Sequence, residues 1–125
     1  MNSDDVEKIL APYDQGVQEL ARACAEQIGH WLPDAQPEFD PSARLFAFTY
    51  RPGTYAGLVV AVAPQRSWVN LMFSRGVELQ AVDTTGLLTG TGKKARHVKI
   101  TDAGQLADPA LHALVVEASR RTRPR

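Results

Sequence analysis

The spacing of hydrophobic residues changes near Arg44, and this change constrains the fold more than any other feature of the sequence. Before Arg44, apolar residues recur every three or four positions, which is the spacing of one face of an α-helix. From Arg44 onward, β-branched and aromatic residues become frequent and the spacing falls to two, which is typical of strands. The sequence therefore predicts helices first and a sheet after them.

The helical part is interrupted by Pro12, because proline lacks an amide proton and clashes with the preceding turn. We expect a short helix near residues 4–10 and a long one near 13–31, which Pro33 prevents from continuing. Cys24 lies on the apolar stripe of these helices, so we interpret it as a small core residue and not as a nucleophile. The whole predicted stripe is Val6, Ile9, Leu10, Tyr13, Val17, Leu20, Ala21, Cys24, Ile28, Trp31 and Leu32.

Three runs after Arg44 have the character of strands, at residues 45–50, 57–63 and 68–73. The middle run is apolar on both faces, which predicts a central strand. Short connections containing Pro or Gly separate the runs, and they favour antiparallel neighbours because parallel neighbours need long crossovers. A weaker strand is expected near residues 36–40.

The last part of the chain begins with an irregular stretch at 74–95, followed by a short strand at 97–100. A final helix is expected after Asp108, because an acidic cap followed by proline is a favoured helix start. Together these elements predict an α+β fold, a two-layer sandwich in which an antiparallel sheet of four to five strands has the N-terminal and C-terminal helices on one face. We expect residues 1–125 to form a single domain.

Composition describes an ordinary globular chain and selects no chemistry. The 125 residues are 44% hydrophobic and 22% charged, and one cysteine excludes an internal disulfide. The N-terminus is acidic where a signal peptide would be basic, and no apolar run approaches the roughly 18 to 20 residues that span a bilayer. We therefore expect a cytoplasmic protein without a membrane partner.

The overall charge is balanced, but its distribution along the chain is not. Residues 1–40 contain nine acids and two bases, whereas the remainder contains twelve bases and five acids. One interpretation is that the two parts lie side by side in one fold and attract each other. The other is a dipolar surface that offers an acidic and a basic face to different partners.

The richest candidate site is the segment 90–99, GTGKKARHVK, which combines glycines with four cations and a histidine. Glycines allow consecutive amides to turn inward as a nest for an anion. The candidate ligand-binding residues are Gly90, Gly92, Lys93, Lys94, Arg96, His97 and, on the preceding strand, Trp68. A basic loop that only anchors the following strand is the alternative interpretation.

Other chemistries find less support. The segment is not a P-loop, which would require glycine in place of Leu87 and Ser or Thr in place of Lys94. No His, Cys or carboxylate spacing is typical of a metal site, although helix-surface acids such as Asp5, Asp14, Glu19 and Glu26 could hold a hard cation weakly. No nucleophile motif is present. The basic loop, the arginine-rich end and Tyr55 suit nucleic acid, but the balanced overall charge argues against a dedicated binder.

Several segments together resemble the YdhG-like domain of unknown function. They are the strand 68–73, Arg75-Gly76, the pattern Gly86-Leu87-Leu88-x-Gly90-x-Gly92-Lys93 and the segment 96–100, RHVKI, which is the most specific. The resemblance covers nearly the whole chain. It implies a frataxin-like two-layer sandwich, and some members of that family are considered iron chaperones by analogy with frataxin.

Two functional hypotheses follow from these observations. The preferred one is a small non-enzymatic binding or interaction domain, without a cofactor, whose ligand site lies between the loop 86–99 and the adjoining strands. Its partner would be a small anionic molecule or another protein. The alternative is an iron-binding chaperone that uses the acidic N-terminal helices, and an enzyme of uncharacterised type is a third and weaker hypothesis. The first two differ in the sign of the ligand's charge.

Overall fold

Two helices open the chain in the computed structural model, which describes residues 3–123. Helix α1 spans Ser3–Leu10 and helix α2 spans Gln15–Trp31, so the predicted interruption near Pro12 is confirmed. The Asp14 carboxylate caps α2 by accepting a hydrogen bond of 2.9 Å from the Val17 amide.

Five strands form one antiparallel sheet, and their spatial order is the order in which they occur in the chain. This arrangement confirms the predicted meander, with the strand Leu58–Pro64, β3, in its centre. The residues of β3 from Val59 to Val62 are all buried, as its apolar sequence predicts. The strands are β1 at Gln36–Asp40, β2 at Leu45–Thr49, β3 at Leu58–Pro64, β4 at Val69–Phe73 and β5 at Arg96–Ile100.

The stretch between β4 and β5 contains structure that the sequence did not predict. A short helix, α3, spans Gly76–Leu79, and a 3-10 turn continues to Val82. Gly76 lies against the backbone of Arg96, where a Cβ atom would overlap the Arg96 nitrogen. The absence of a side chain at Gly76 therefore lets α3 lie directly on the start of β5.

The C-terminal helix begins as the sequence predicts. Helix α4 spans Pro109–Thr122, and the Asp108 carboxylate accepts a hydrogen bond of 2.9 Å from the Ala110 amide. A 3-10 helix at Ala103–Ala107 connects β5 to this helix. Within residues 3–123, no helix is long and apolar enough to cross a lipid bilayer.

Helices α2 and α4 pack on the same face of the sheet, because each contacts β3 and the two also contact each other. In β4, Val69, Leu71 and Phe73 are buried on this face, whereas Asn70 and Met72 are partly exposed. Cys24 and Ile28 of α2 are fully buried between the layers. The predicted α+β two-layer sandwich is therefore confirmed.

Candidate functional site

A cleft of about 470 Å³ opens beside the loop that the sequence singled out. Three segments form it: the connection between β2 and β3, the end of β4 with α3, and the loop that precedes β5. Two predicted site residues, Lys93 and Lys94, lie on its wall. The full lining is Tyr55, Ala56, Ser74, Arg75, Val77, Glu78, Lys93 and Lys94.

Hydrogen bonds fix the three segments relative to one another. The Tyr55 hydroxyl donates to the Ser74 carbonyl at 3.1 Å, which holds the β2–β3 connection against the end of β4. The Ser74 hydroxyl in turn donates to the Leu58 carbonyl at 2.6 Å. The Val77 amide donates to the Lys94 carbonyl at 2.9 Å and thereby ties α3 to the basic loop. The cleft is consequently built by main-chain contacts and not only by flexible side chains.

The charge on the cleft wall is mainly positive. The Nη1 atom of Arg75 lies 3.2 Å from the Glu78 carboxylate, and its Nη2 atom lies 3.5 Å from the Ala56 carbonyl. Its Nε atom is buried and has no acceptor among residues 3–123. The Lys94 ammonium lies 6.0 Å from the centre of the Tyr55 ring, and no described residue pairs with the Lys93 ammonium. Three cations thus face one carboxylate, an arrangement that can hold an anion.

Arg96 contacts its own loop and does not line the cleft. Its Nη1 atom donates to the carbonyls of Gly92 and, at 2.8 Å, Ala95. The guanidinium thus binds main-chain carbonyls of its own loop, whereas the sequence predicts Arg96 as a ligand-binding residue. Gly90, with a φ of 129°, passes close to the Arg96 side chain. Arg96 therefore shapes the loop that presents Lys93 and Lys94.

The amides of residues 91–95 belong to the loop for which the sequence predicts an anion nest. None of them donates to an acceptor within the described part of the chain, so they are available to a ligand or to water. Gly92 lies in this run, and its carbonyl accepts a hydrogen bond from the Arg96 guanidinium.

The other predicted residues lie outside the cleft. His97 pairs with Met72 and its backbone bridges to Thr89, so its side chain is on the face of the sheet opposite to Val98. Trp68 precedes β4 at the end of the sheet remote from Arg96. There the Lys99 ammonium lies 4.3 Å from the centre of the Trp68 ring. The seven predicted residues consequently do not form one site.

The cleft is also lined by Arg75, Tyr55 and Val77, which the sequence does not predict as site residues. Arg75 belongs to the Arg75-Gly76 pair of the family resemblance, and Tyr55 is an exposed aromatic beside a Pro-Gly turn. These two signals could have identified them. Their proximity to Lys93 and Lys94 depends on the tertiary fold.

The groups that could bind a cation do not converge. Residues 3–123 contain no cluster of three or more His, Cys, Asp or Glu side chains suited to a metal ion. Glu7 pairs with Arg22, Asp14 caps α2, and Glu19 accepts a hydrogen bond of 3.2 Å from Gln15. Burial raises the pKa of the Cys24 thiol to about 12, so this residue is not a thiolate ligand near neutral pH.

Comparison with protein-family models, curated proteins and solved structures found no match to this chain. The geometry of the cleft is therefore the basis for a functional proposal.

Proposed function

We propose that the protein is a non-enzymatic binding domain that holds a small organic anion in the cleft beside Tyr55. The observation that carries the proposal is the convergence of Arg75, Lys93 and Lys94 on one concave surface. Glu78 is the one carboxylate among the described residues that line it. A ligand carboxylate or phosphate would neutralise this excess of positive charge.

The shape and apolar surface of the cleft support an organic ligand over a simple inorganic ion. Its volume of about 470 Å³ is in the range of small-molecule sites, which is roughly 300 to 1,000 Å³. Tyr55 is 54% exposed and Val77 is 38% exposed, so both offer apolar contact area next to the cations. A compound with an apolar or aromatic body and an acidic group matches both features.

The proposal includes membership of the YdhG-like family and a cytoplasmic location. The five-stranded meander flanked by helices supports the family assignment, because the resemblance implies a two-layer sandwich of this kind. No specific observation favours the iron-chaperone alternative over an anion site. The cations proposed to bind an anion line one cleft, whereas the acids of α1 and α2 have other partners or lie apart.

A thermal-shift screen at fixed ionic strength tests the proposal. Phosphate, sulfate, aliphatic and aromatic carboxylates and nucleotides would each be compared with chloride. A ligand at about 100 times its Kd stabilises the folded state by roughly 2.7 kcal/mol, which for a domain of this size raises Tm by several degrees. A Lys93→Ala, Lys94→Ala double variant should lose most of this effect.

The control is Arg66→Ala, because Arg66 is an exposed cation in the β3–β4 turn and does not line the cleft. It should respond like the parent protein. If no anion stabilises the parent more than chloride does, or if the double variant responds like the parent, the proposal is wrong.

A further inference from the structure

A second, smaller pocket of about 240 Å³ adjoins the cleft on the other side of Arg75. The two cavities share Ala56 and Arg75 as a common wall. The second pocket lies where the β2–β3 connection meets the end of α4. Its lining is Arg51, Ala56, Gly57, Arg75, Arg121, Thr122 and Arg123.

Four guanidinium groups line this pocket, and its described lining contains no carboxylate. Arg121 pairs with Glu117 at 2.6 Å and lies 3.8 Å from the Glu78 carboxylate, and Arg123 contacts Asp34 and the Tyr50 hydroxyl, each at 3.1 Å. Each guanidinium carries five N–H donors, so both retain donors beyond these contacts. Arg51 has no side-chain partner in the described part of the chain and is exposed.

The position of Arg75 connects the two pockets. Its guanidinium is oriented by Glu78 and by the Ala56 carbonyl, and it lines both cavities. Six cations in all surround the two cavities, against the single lining carboxylate of Glu78. Of the four guanidinium groups of the second pocket, Arg51 is the one without a carboxylate partner among the described residues, and an anionic group in the cleft does not compensate its charge.

We infer that the second pocket is a second anion subsite, so that the natural ligand carries two anionic groups and straddles Arg75. This inference rests on the proposed function of the cleft. Arginine presents a planar fork that binds phosphate through two parallel hydrogen bonds, whereas lysine acts as a point charge. The ligand class is thus a small organic compound with a phosphate group in the arginine pocket and a second acidic group near Lys93 and Lys94.

A nucleic-acid strand would also supply successive phosphates, but the site favours a small molecule. The cations surround two adjoining concavities and do not follow an extended ridge, and Tyr55 is the one aromatic residue in the described lining of either pocket. Binding of single-stranded nucleic acid normally uses a basic groove with several stacking aromatics.

The test compares straight-chain alkane bisphosphates of two to six carbons with the corresponding monoalkyl phosphates. Binding to the full chain is measured by calorimetry at constant ionic strength. Because the second contact is intramolecular once the first is made, the best bisphosphate should bind at least about tenfold more tightly than its monophosphate. Arg51→Ala should remove this advantage.

Arg51→Ala preserves the Cβ atom that packs against Gly57, and its fold is checked by circular dichroism and Tm. Arg66→Ala, which removes an exposed cation elsewhere, should keep the tenfold difference. Arg51→Lys should retain only part of it, since the bidentate contact is lost while the charge remains.

The outcomes separate the two proposals. If no phosphate compound binds, the proposed function of the cleft fails. If monophosphates bind in a Lys93- and Lys94-dependent manner but bisphosphates bind no better, the second subsite is wrong while the first stands. If bisphosphates still bind more tightly than monophosphates to the Arg51→Ala variant, the second subsite is also wrong. A short single-stranded oligonucleotide is the last probe. If it binds more tightly than any bisphosphate and this binding depends on Arg51, the ligand is a nucleic acid and not a small molecule.

Discussion

Gly76 packs directly on the backbone of Arg96, so the first residue of α3 and the first residue of β5 are in van der Waals contact without an intervening side chain. This contact brings Arg75 beside the loop that carries Lys93 and Lys94. The cleft therefore depends on a glycine that does not touch its interior.

A methyl group at this position should damage both the fold and the site. We expect Gly76→Ala to lower the free energy of unfolding by about 1 to 3 kcal/mol, because the overlap is with backbone atoms that cannot rotate away. The same variant should bind the best anion of the screen more weakly, since α3 and Arg75 must shift. Chemical denaturation and calorimetry measure the two effects.

Gly16→Ala is the matched control for this prediction. Gly16 lies in the first turn of α2, and a Cβ there would meet Asp14 only at an ordinary contact distance of 3.5 Å. Alanine should therefore be neutral or stabilise the protein by up to about 1 kcal/mol. Equal losses of stability in both variants would contradict the role assigned to Gly76.

The ion pairs of α4 predict a dependence of stability on pH. Hydrogen bonds from Arg120 and Arg121 lower the pKa of the Glu117 carboxyl from its usual value of about 4.5 to about 2. A pKa that is lower in the folded state stabilises the protein above the unfolded value, and this contribution is lost as the pH falls from about 4.5 to about 2. Glu117→Gln should thus reduce stability at pH 7 but have little effect near pH 2.

Denaturation of the parent and of Glu117→Gln at both pH values measures this difference. Glu26→Gln is a suitable control, because Glu26 is an exposed acid of α2 for which the described contacts include no ion pair. If Glu117→Gln destabilises the protein equally at both pH values, the ionic hydrogen bonds are not the cause.

The meander could be predicted because its signals are local. The alternation in β4 and the Pro- and Gly-containing turns on either side of β3 are visible within a few residues of sequence. Helix α3 could not be predicted, because four residues are too few to show a helical period. It forms against the loop before β5, where the Val77 amide donates to the Lys94 carbonyl.

The candidate site likewise contains residues that the sequence could predict and residues that it could not. Lys93 and Lys94 were predictable because they are adjacent in a glycine-rich run. Tyr55 and Arg75 come from segments far from that run and join it through the sheet, which a sequence pattern does not reveal. The sequence analysis groups Trp68 with the loop, but β4 and β5 are antiparallel, and their register pairs Arg96 with Phe73 at the end of β4 remote from Trp68.

The turn between β1 and β2 contains a residue in an unfavourable backbone conformation. Arg44 has a φ of 54°, in the left-handed region where a Cβ atom is disfavoured by roughly 1 to 2 kcal/mol. Replacing it with glycine removes this strain but increases the freedom of the unfolded chain. We expect Arg44→Gly to be neutral or to stabilise the protein by up to about 1 kcal/mol, whereas Arg44→Val should destabilise it in the same denaturation assay.

Two residues of α2 test how the helix packs on the sheet. Ile28 is fully buried, so Ile28→Ala should cost about 2 to 5 kcal/mol in the free energy of unfolding. Leu20, which the apolar stripe placed with the core, is only partly buried in the structure. Leu20→Ala should therefore cost clearly less than Ile28→Ala, and the reverse order would mean that the helix is rotated about its axis.

Iron binding should be weak and without defined stoichiometry. Residues 3–123 offer no cluster of three ligating side chains, and the acids of α1 and α2 are spread over the helix surfaces. Such diffuse carboxylates do not complete the coordination shell that gives a transition metal a tight site. Anaerobic calorimetry with ferrous iron, compared with magnesium at the same concentration, measures the affinity. A stoichiometric site of micromolar or tighter Kd that disappears on changing Asp14, Glu19 or Glu26 would make the acidic helices the functional surface and displace the anion cleft as the preferred site.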